Sequence, residues 1–124
     1  ETPWALELVA GMIEFGEELE EVAIREVKEE SNCEVSQLVK ICDYYSSPGV
    51  SSEKVRLYLG IISSENIGGF SGLESENEDI EVVVLSYTDA IAGLKDGYLA
   101  NAMSIIALQW LELNKSDILQ KFLV

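Results

Sequence analysis

The sequence predicts an α/β domain, with strands and helices interleaved. Three observations carry this. Apolar runs with the length and β-branched content of strands recur at 4–10, 35–45, 55–62 and 80–85. Segments with apolar residues at helical spacing separate or follow them, at 17–31, at 86–95 and from Asn101 onward. Hydrophobic residues make up 48% of 124 positions, enough to bury a real core in one domain. The predicted order is strand, helix, strand, strand, acidic loop, strand, helix, helix.

The elements follow in turn. Trp4 to Ala10 reads as a strand that delivers the chain to a loop beginning at Gly11. Glu17 to Ser31 reads as a helix, with Leu19, Val22, Ala23 and Val27 as its apolar stripe, Gly16 before it and Asn32 after it. Val35 to Tyr45 and Val55 to Ile62 read as strands joined by the turn-rich Ser46–Ser52, so that Tyr44 and Tyr45 end a strand. Ser63 to Asp79 reads as a long polar loop with Gly68, Gly69, Gly72 and a dense acidic stretch. Loops of this length in small domains are usually functional or disordered. Ile80 to Leu85 is a β-branched strand, and Ser86 to Lys95 a short helix with Ser86 as its N-cap and Gly97 as its stop. Asn101 can cap the last helix, whose Ala102, Ile105, Ile106, Leu108 and Leu111 suit packing on a sheet. Trp110 and Leu111 are expected in the core, and Trp4 either in the core or beside a substrate. No repeat or second-domain boundary is visible, so residues 1–124 are expected to form a single domain.

Charge and composition exclude several function classes. A net charge of −15 argues against a nucleic-acid backbone as direct partner. An acidic protein that handles phosphates needs metal ions as intermediaries. Histidine is absent, which removes Ser-His-Asp and Cys-His catalysis and histidine zinc sites. Acid–base work then falls to carboxylates, Lys, Tyr or metal-bound water. No run of ~18 apolar residues spans a membrane, and no signal peptide is visible. Cys33 and Cys42 have no metal-like spacing and read as buried thiols in a reducing cytoplasm, the expected location. The chain starts at Glu1 rather than Met, so an upstream segment is expected to have been removed.

The most specific signal is Gly11-Met12-Ile13-Glu14-Phe15-Gly16-Glu17 followed by Arg25-Glu26-Val27-Lys28-Glu29-Glu30. Glu26 and Glu30 are four apart and share a helix face, where like charges repel. A solvated helix face is the ordinary explanation of such a run. A hard divalent cation, which takes oxygen ligands, rewards the spacing. The run resembles the Nudix box: Gly, five residues, Glu, seven residues, Arg-Glu, an aliphatic, any residue, Glu-Glu, any residue, Gly, an aliphatic. Gly11, Glu17, Arg25, Glu26, Val27, Glu29 and Glu30 stand at the right offsets. Asn32 stands where the family has Gly, a mild departure because Asn tolerates φ > 0. Cys33 fills the final apolar slot. The resemblance implies the Nudix fold, a mixed β-sheet between helices. In that family a strand or hairpin precedes the strand leading into the box, and here only ten residues do, so an N-terminal element is expected to be missing.

Three further segments resemble the ADP-ribose pyrophosphatase branch: Ser47-Pro48-Gly49, the acidic loop Gly72 to Ile80, and Asn101 to Leu111. The resemblance spans about Trp4 to Leu111. It implies Mg²⁺, with Mn²⁺ as an alternative and two or more ions, held by the Ala10 carbonyl, Glu26, Glu30 and Glu78. It implies Glu76 as general base, with the alternative that Glu76 and Glu78 exchange roles, and a contribution from Glu29 through water or a hydrogen bond. Glu17 and Arg25 are implied as an ion pair holding loop to helix, and Gly11, Met12 and Glu53 as substrate-side positions. The reaction implied is hydrolysis of ADP-ribose to AMP and ribose 5-phosphate, in a homodimer with neither nucleic acid nor membrane as partner. Two alternatives stay open: a Nudix pyrophosphatase for another nucleoside diphosphate sugar such as GDP-mannose, and a non-catalytic or truncated module that binds metal or a partner.

Overall fold

In a computed structural model, residues 6–63, 69–71 and 80–122 are described. Their elements are α1 (Leu19–Ser31), β1 (Val35–Tyr45), β2 (Lys54–Ile62), β3 (Gly69–Ser71), β4 (Ile80–Val82), α2 (Tyr87–Asp96) and α3 (Ala102–Phe122). The mixed α/β character is as expected. Among the described residues the strands form two two-stranded sheets, β1-β2 and β3-β4. In β3-β4 the strands are antiparallel, pairing Gly69 with Val82 and Ser71 with Ile80. In β1-β2 the Ser46 N–H donates to the Glu53 carbonyl at 3.3 Å, and the Ser36 hydroxyl to the Ile61 carbonyl at 3.1 Å. Those pairings make β1 and β2 antiparallel too.

The described chain divides into two compact units. One holds residues 6–8, 40–59 and 85–122; the other holds 9–39, 60–63, 69–71 and 80–84.

In the second unit α1 packs on β3 and β4 and buries Val22, with Cys33 buried just beyond it. Asn32 ends α1 in the left-handed region, φ 58°, and its N–H donates to the Lys28 carbonyl at 2.9 Å. This is the conformation expected of Asn in the place of Gly. The helix begins at Leu19 rather than Glu17, because Glu17 is engaged in the turn before it.

In the first unit α2 packs on α3 and buries Ile91, Leu99 and Ile118. Gly93 lies beneath Leu99, where a Cβ would sit 3.2 Å from a Leu99 methyl. Both helix starts use the expected caps. Ser86 Oγ accepts from the Asp89 N–H at 3.1 Å, and Asn101 Oδ1 from the Ser104 N–H at 2.9 Å. Lys115 Nζ lies 3.8 Å from the Tyr87 ring centre, tying α3 to α2. The Ser47–Val50 turn between β1 and β2 has Pro48 followed by Gly49 at φ 93°, the order a type II turn requires.

Five expectations need correction. Residues 6–10 join no ladder; Trp4 and Ala5 lie outside the described residues. Side chains meet that backbone instead: the Leu6 carbonyl accepts from Asn101 Nδ2 at 3.1 Å, and the Ala10 N–H donates to Glu30 Oε2 at 3.4 Å. The strand expected to reach Leu85 stops at Val82, because its partner β3 is three residues long. That partner lies inside the segment read as a loop. Trp110 and Leu111 are half-buried rather than core, and Ala102 is exposed. Among the described residues α3, with 21 residues, packs on the 10-residue α2, which is shorter than it by half. Cys42 is half-buried, while Cys33 is buried as expected, and both thiols are free. No helix among the described residues is long and apolar enough to cross a membrane.

Candidate functional site

The site is built on the turn before α1. The Glu17 N–H donates to the Glu14 carbonyl at 3.1 Å, and Gly16 sits at φ 87°, a conformation that favours glycine. Glu17 then braces the turn with its side chain. One carboxylate oxygen accepts from the Glu14 N–H at 2.9 Å and the other from the Arg25 guanidinium. The Arg25 bond, then that from Glu14, holds the Glu17 carboxyl below its ordinary pKa. The same guanidinium reaches Glu26 Oε1 at 3.6 Å and Glu29 Oε1 at 3.9 Å. One cation thus serves three carboxylates.

Glu26 and Glu30, one helical turn apart on α1, both come to the Ala10–Gly11 peptide. Glu30 Oε2 accepts from the Ala10 N–H at 3.4 Å. Glu26 lies so close to Gly11 that a Cβ there would fall inside its carboxylate. Only glycine leaves the space that the Glu26 side chain occupies. Carboxylate oxygens are the donor type that hard divalent ions prefer. In donor chemistry and charge these residues fit such an ion. Among the described residues no group of three or more His, Cys, Asp or Glu closes into a metal-holding cluster.

The structure therefore brings Ala10, Gly11, Glu17, Arg25, Glu26, Glu29 and Glu30 into one neighbourhood. Met12 follows Gly11 on the same loop and is 87% exposed. Glu53 belongs to the other unit, on the β1–β2 loop, where its carboxylate accepts from the Ser46 hydroxyl at 2.7 Å and its N–H donates to Ser51 Oγ at 3.0 Å. Glu76 and Glu78 lie outside the described residues.

Two features escaped the sequence reading. Gly11 makes room for Glu26, a role that the fixed glycine of the motif could have suggested. The other is a charged group on β1 and β2. Asp43 Oδ2 accepts from Arg56 at 2.9 Å and from Lys40 at 3.2 Å, while Oδ1 is buried without a partner. Burial opposes ionisation of Asp43, but Lys40 and Arg56 outweigh it and hold its pKa below the ordinary value. The sequence signal was opposite charge at facing positions of two antiparallel strands, which needs the register to be read.

Comparison with known proteins agrees with the motif. A model of the NUDIX domain matches residues 1–111. The ADP-ribose pyrophosphatase of Escherichia coli K12 is 45% identical over 114 residues, covering 92% of this chain and 54% of that protein. The ADP-ribose pyrophosphatase of Haemophilus influenzae is 40% identical over 121 residues, covering 98% and 56%. A Bacillus methanolicus protein named methanol dehydrogenase activator is 29% identical over 113 residues, covering 90% and 59%. The chain spans about half the length of the curated ADP-ribose pyrophosphatases it matches.

Proposed function

The chain belongs to the NUDIX domain family, and from that premise we propose that the protein hydrolyses the diphosphate of ADP-ribose, giving AMP and ribose 5-phosphate. The observation that carries the reading is the convergence of Glu26 and Glu30 on the Ala10–Gly11 peptide. The names of the bacterial relatives at 40–45% identity support the substrate.

In this reading Glu26, Glu30, Glu78 and the Ala10 carbonyl hold divalent ions, Mg²⁺ or Mn²⁺ and two or more in number. Such ions, when bound, neutralise the diphosphate oxygens and lower the pKa of a coordinated water. Glu76 accepts the proton of the attacking water as its oxygen bonds to one phosphorus and the bridging P–O bond breaks. Glu29 orients that water or its partners. Arg25 and Glu17 act at one remove, setting the loop against α1 so that Gly11 meets Glu26. Gly11, Met12 and Glu53 lie on the substrate side. The same reading takes the protein to be a cytoplasmic homodimer, with neither nucleic acid nor membrane as its partner.

The test is product analysis of the full-length protein with Mg²⁺ across ADP-ribose, GDP-mannose and nucleoside triphosphates. Preferential release of AMP and ribose 5-phosphate from ADP-ribose is expected. A preference for GDP-mannose or for triphosphates overturns the substrate assignment. A second reading is a module that binds metal or a partner without turnover; the name of the Bacillus methanolicus relative, methanol dehydrogenase activator, supports a protein partner. Metal binding with no turnover of any diphosphate would select it.

A further inference from the structure

The turn that braces the site also presents a phenylalanine to water. Phe15 is fully exposed at its tip, Met12 is 87% exposed, and Val9, Ile13 and Ile24 are exposed in the same stretch of chain. The turn is not slack, since Gly16, the Glu14–Glu17 hydrogen bonds and Arg25 fix it. An aromatic ring held rigidly in solvent forgoes the burial that stabilises such side chains. Exposed apolar residues this close together in one turn, as Met12, Ile13 and Phe15 are, mark interaction surfaces.

The surrounding charge decides what the surface can bind. From Val9 to Ile24 there are five glutamates and no Lys or Arg. Glu14, Glu18, Glu20 and Glu21 of that segment are exposed. A second copy of the turn would set the same carboxylates against these. Anionic lipid and nucleic-acid backbones are repelled likewise. We propose that the Phe15 turn docks an amphipathic helix of a partner protein, apolar along one stripe and flanked by Lys and Arg. Phe15 is the anchor, and the glutamates steer the basic flanks.

The experiment titrates full-length protein into a fluorescein-labelled synthetic helix of Leu and Lys, beside a control peptide with Gln in place of Leu. Wild type, Phe15→Ser and Phe15→Trp are compared, and matching thermal melts confirm the fold. Wild type is expected to bind the Leu/Lys helix, less tightly in salt. Phe15→Ser is expected to lose about tenfold or more in affinity, as truncation of a central aromatic anchor does. Phe15→Trp is expected to keep binding, with its emission shifted to the blue. Failure of wild type to bind, equal binding by Phe15→Ser, or equal binding of the Gln control overturns the proposal. Self-association or sedimentation with anionic phospholipid vesicles that Phe15→Ser abolishes also overturns it, and assigns the turn to a second copy or a membrane surface.

Discussion

Two charged knots in this molecule have opposite proportions. At Arg25 one guanidinium faces the carboxylates of Glu17, Glu26 and Glu29. At Asp43 one carboxylate faces the cations of Lys40 and Arg56. The Asp43 knot has cation in excess, and its Arg56 bond joins neighbouring strands, so it helps to hold β1 to β2. The Arg25 knot sets three carboxylates against one guanidinium, and like charges four apart, as Glu26 and Glu30 are, cost helix stability. In the function proposed above, that arrangement is what draws a divalent cation. The contrast separates charge that stabilises from charge that is kept for chemistry.

The contrast breaks most visibly in the acidic segment beyond β3. Glu76→Gln in the full-length protein is expected to lower kcat by roughly 10²–10⁴-fold with little change in KM, the range for loss of a general base. Steady-state kinetics beside Glu78→Gln checks it. If Glu78→Gln gives that signature and Glu76→Gln is nearly silent, the two roles are exchanged.

A smaller effect is expected at the carboxylate-rich knot itself. Gly11→Ala places a methyl group where the Glu26 carboxylate now lies, so Glu26 must move. Displacing a metal-holding group by about 1 Å costs on the order of 10²-fold in rate. Calorimetric titration with Mn²⁺ should show weaker binding in Gly11→Ala, as it should in Glu30→Gln. Unchanged Mn²⁺ affinity in both variants would remove the metal from this account.

The two knots also differ in how far the sequence disclosed them. The Arg25 knot was legible because a helix fixes geometry locally: Arg25 and Glu29 stack one turn apart, as do Glu26 and Glu30, whatever packs around them. The helix ends at Asn32, Ser86 and Asn101 were legible for the same reason, since each depends on one side chain and the next turn. The Asp43 knot was not, because Asp43 and Arg56 meet only once the register of β1 and β2 is known. Strand β3 was hidden for a related reason: three residues pair only because β4 returns alongside them. The strand expected at Trp4–Ala10 failed in the reverse direction: residues 6–10 have β propensity but join no ladder among the described residues.

The structural knot should show itself through pH. Asp43 has a lowered pKa in the folded protein, so the unfolded chain binds its proton more readily. Its stabilisation is in force above the unfolded value, about 3.9 for an aspartate, and is lost as pH falls through the lower native value. Thermal melts across that acid range should fall less steeply for Asp43→Asn than for wild type, from a lower starting Tm. Parallel curves would mean that Lys40 and Arg56 do not act on this carboxylate.

The smallest effect is expected where neither knot is involved. Ser104 is 1% exposed in α3, and its hydroxyl has no hydrogen-bond partner. The cap at this helix end uses the Ser104 backbone N–H, which donates to Asn101 Oδ1, and leaves the side chain unused. A buried hydroxyl without a partner carries a desolvation cost of about 1–3 kcal/mol. Ser104→Ala removes the hydroxyl, keeps the cap and leaves a space of one oxygen atom. The lost packing is smaller than a methyl group and offsets only part of the relief. Denaturant unfolding should therefore place Ser104→Ala equal to wild type or more stable by up to about 1 kcal/mol, with an unchanged m value. A loss of stability beyond that magnitude would mean that Ser104 Oγ finds a partner in solution, and that this helix end holds a polar contact rather than an idle hydroxyl.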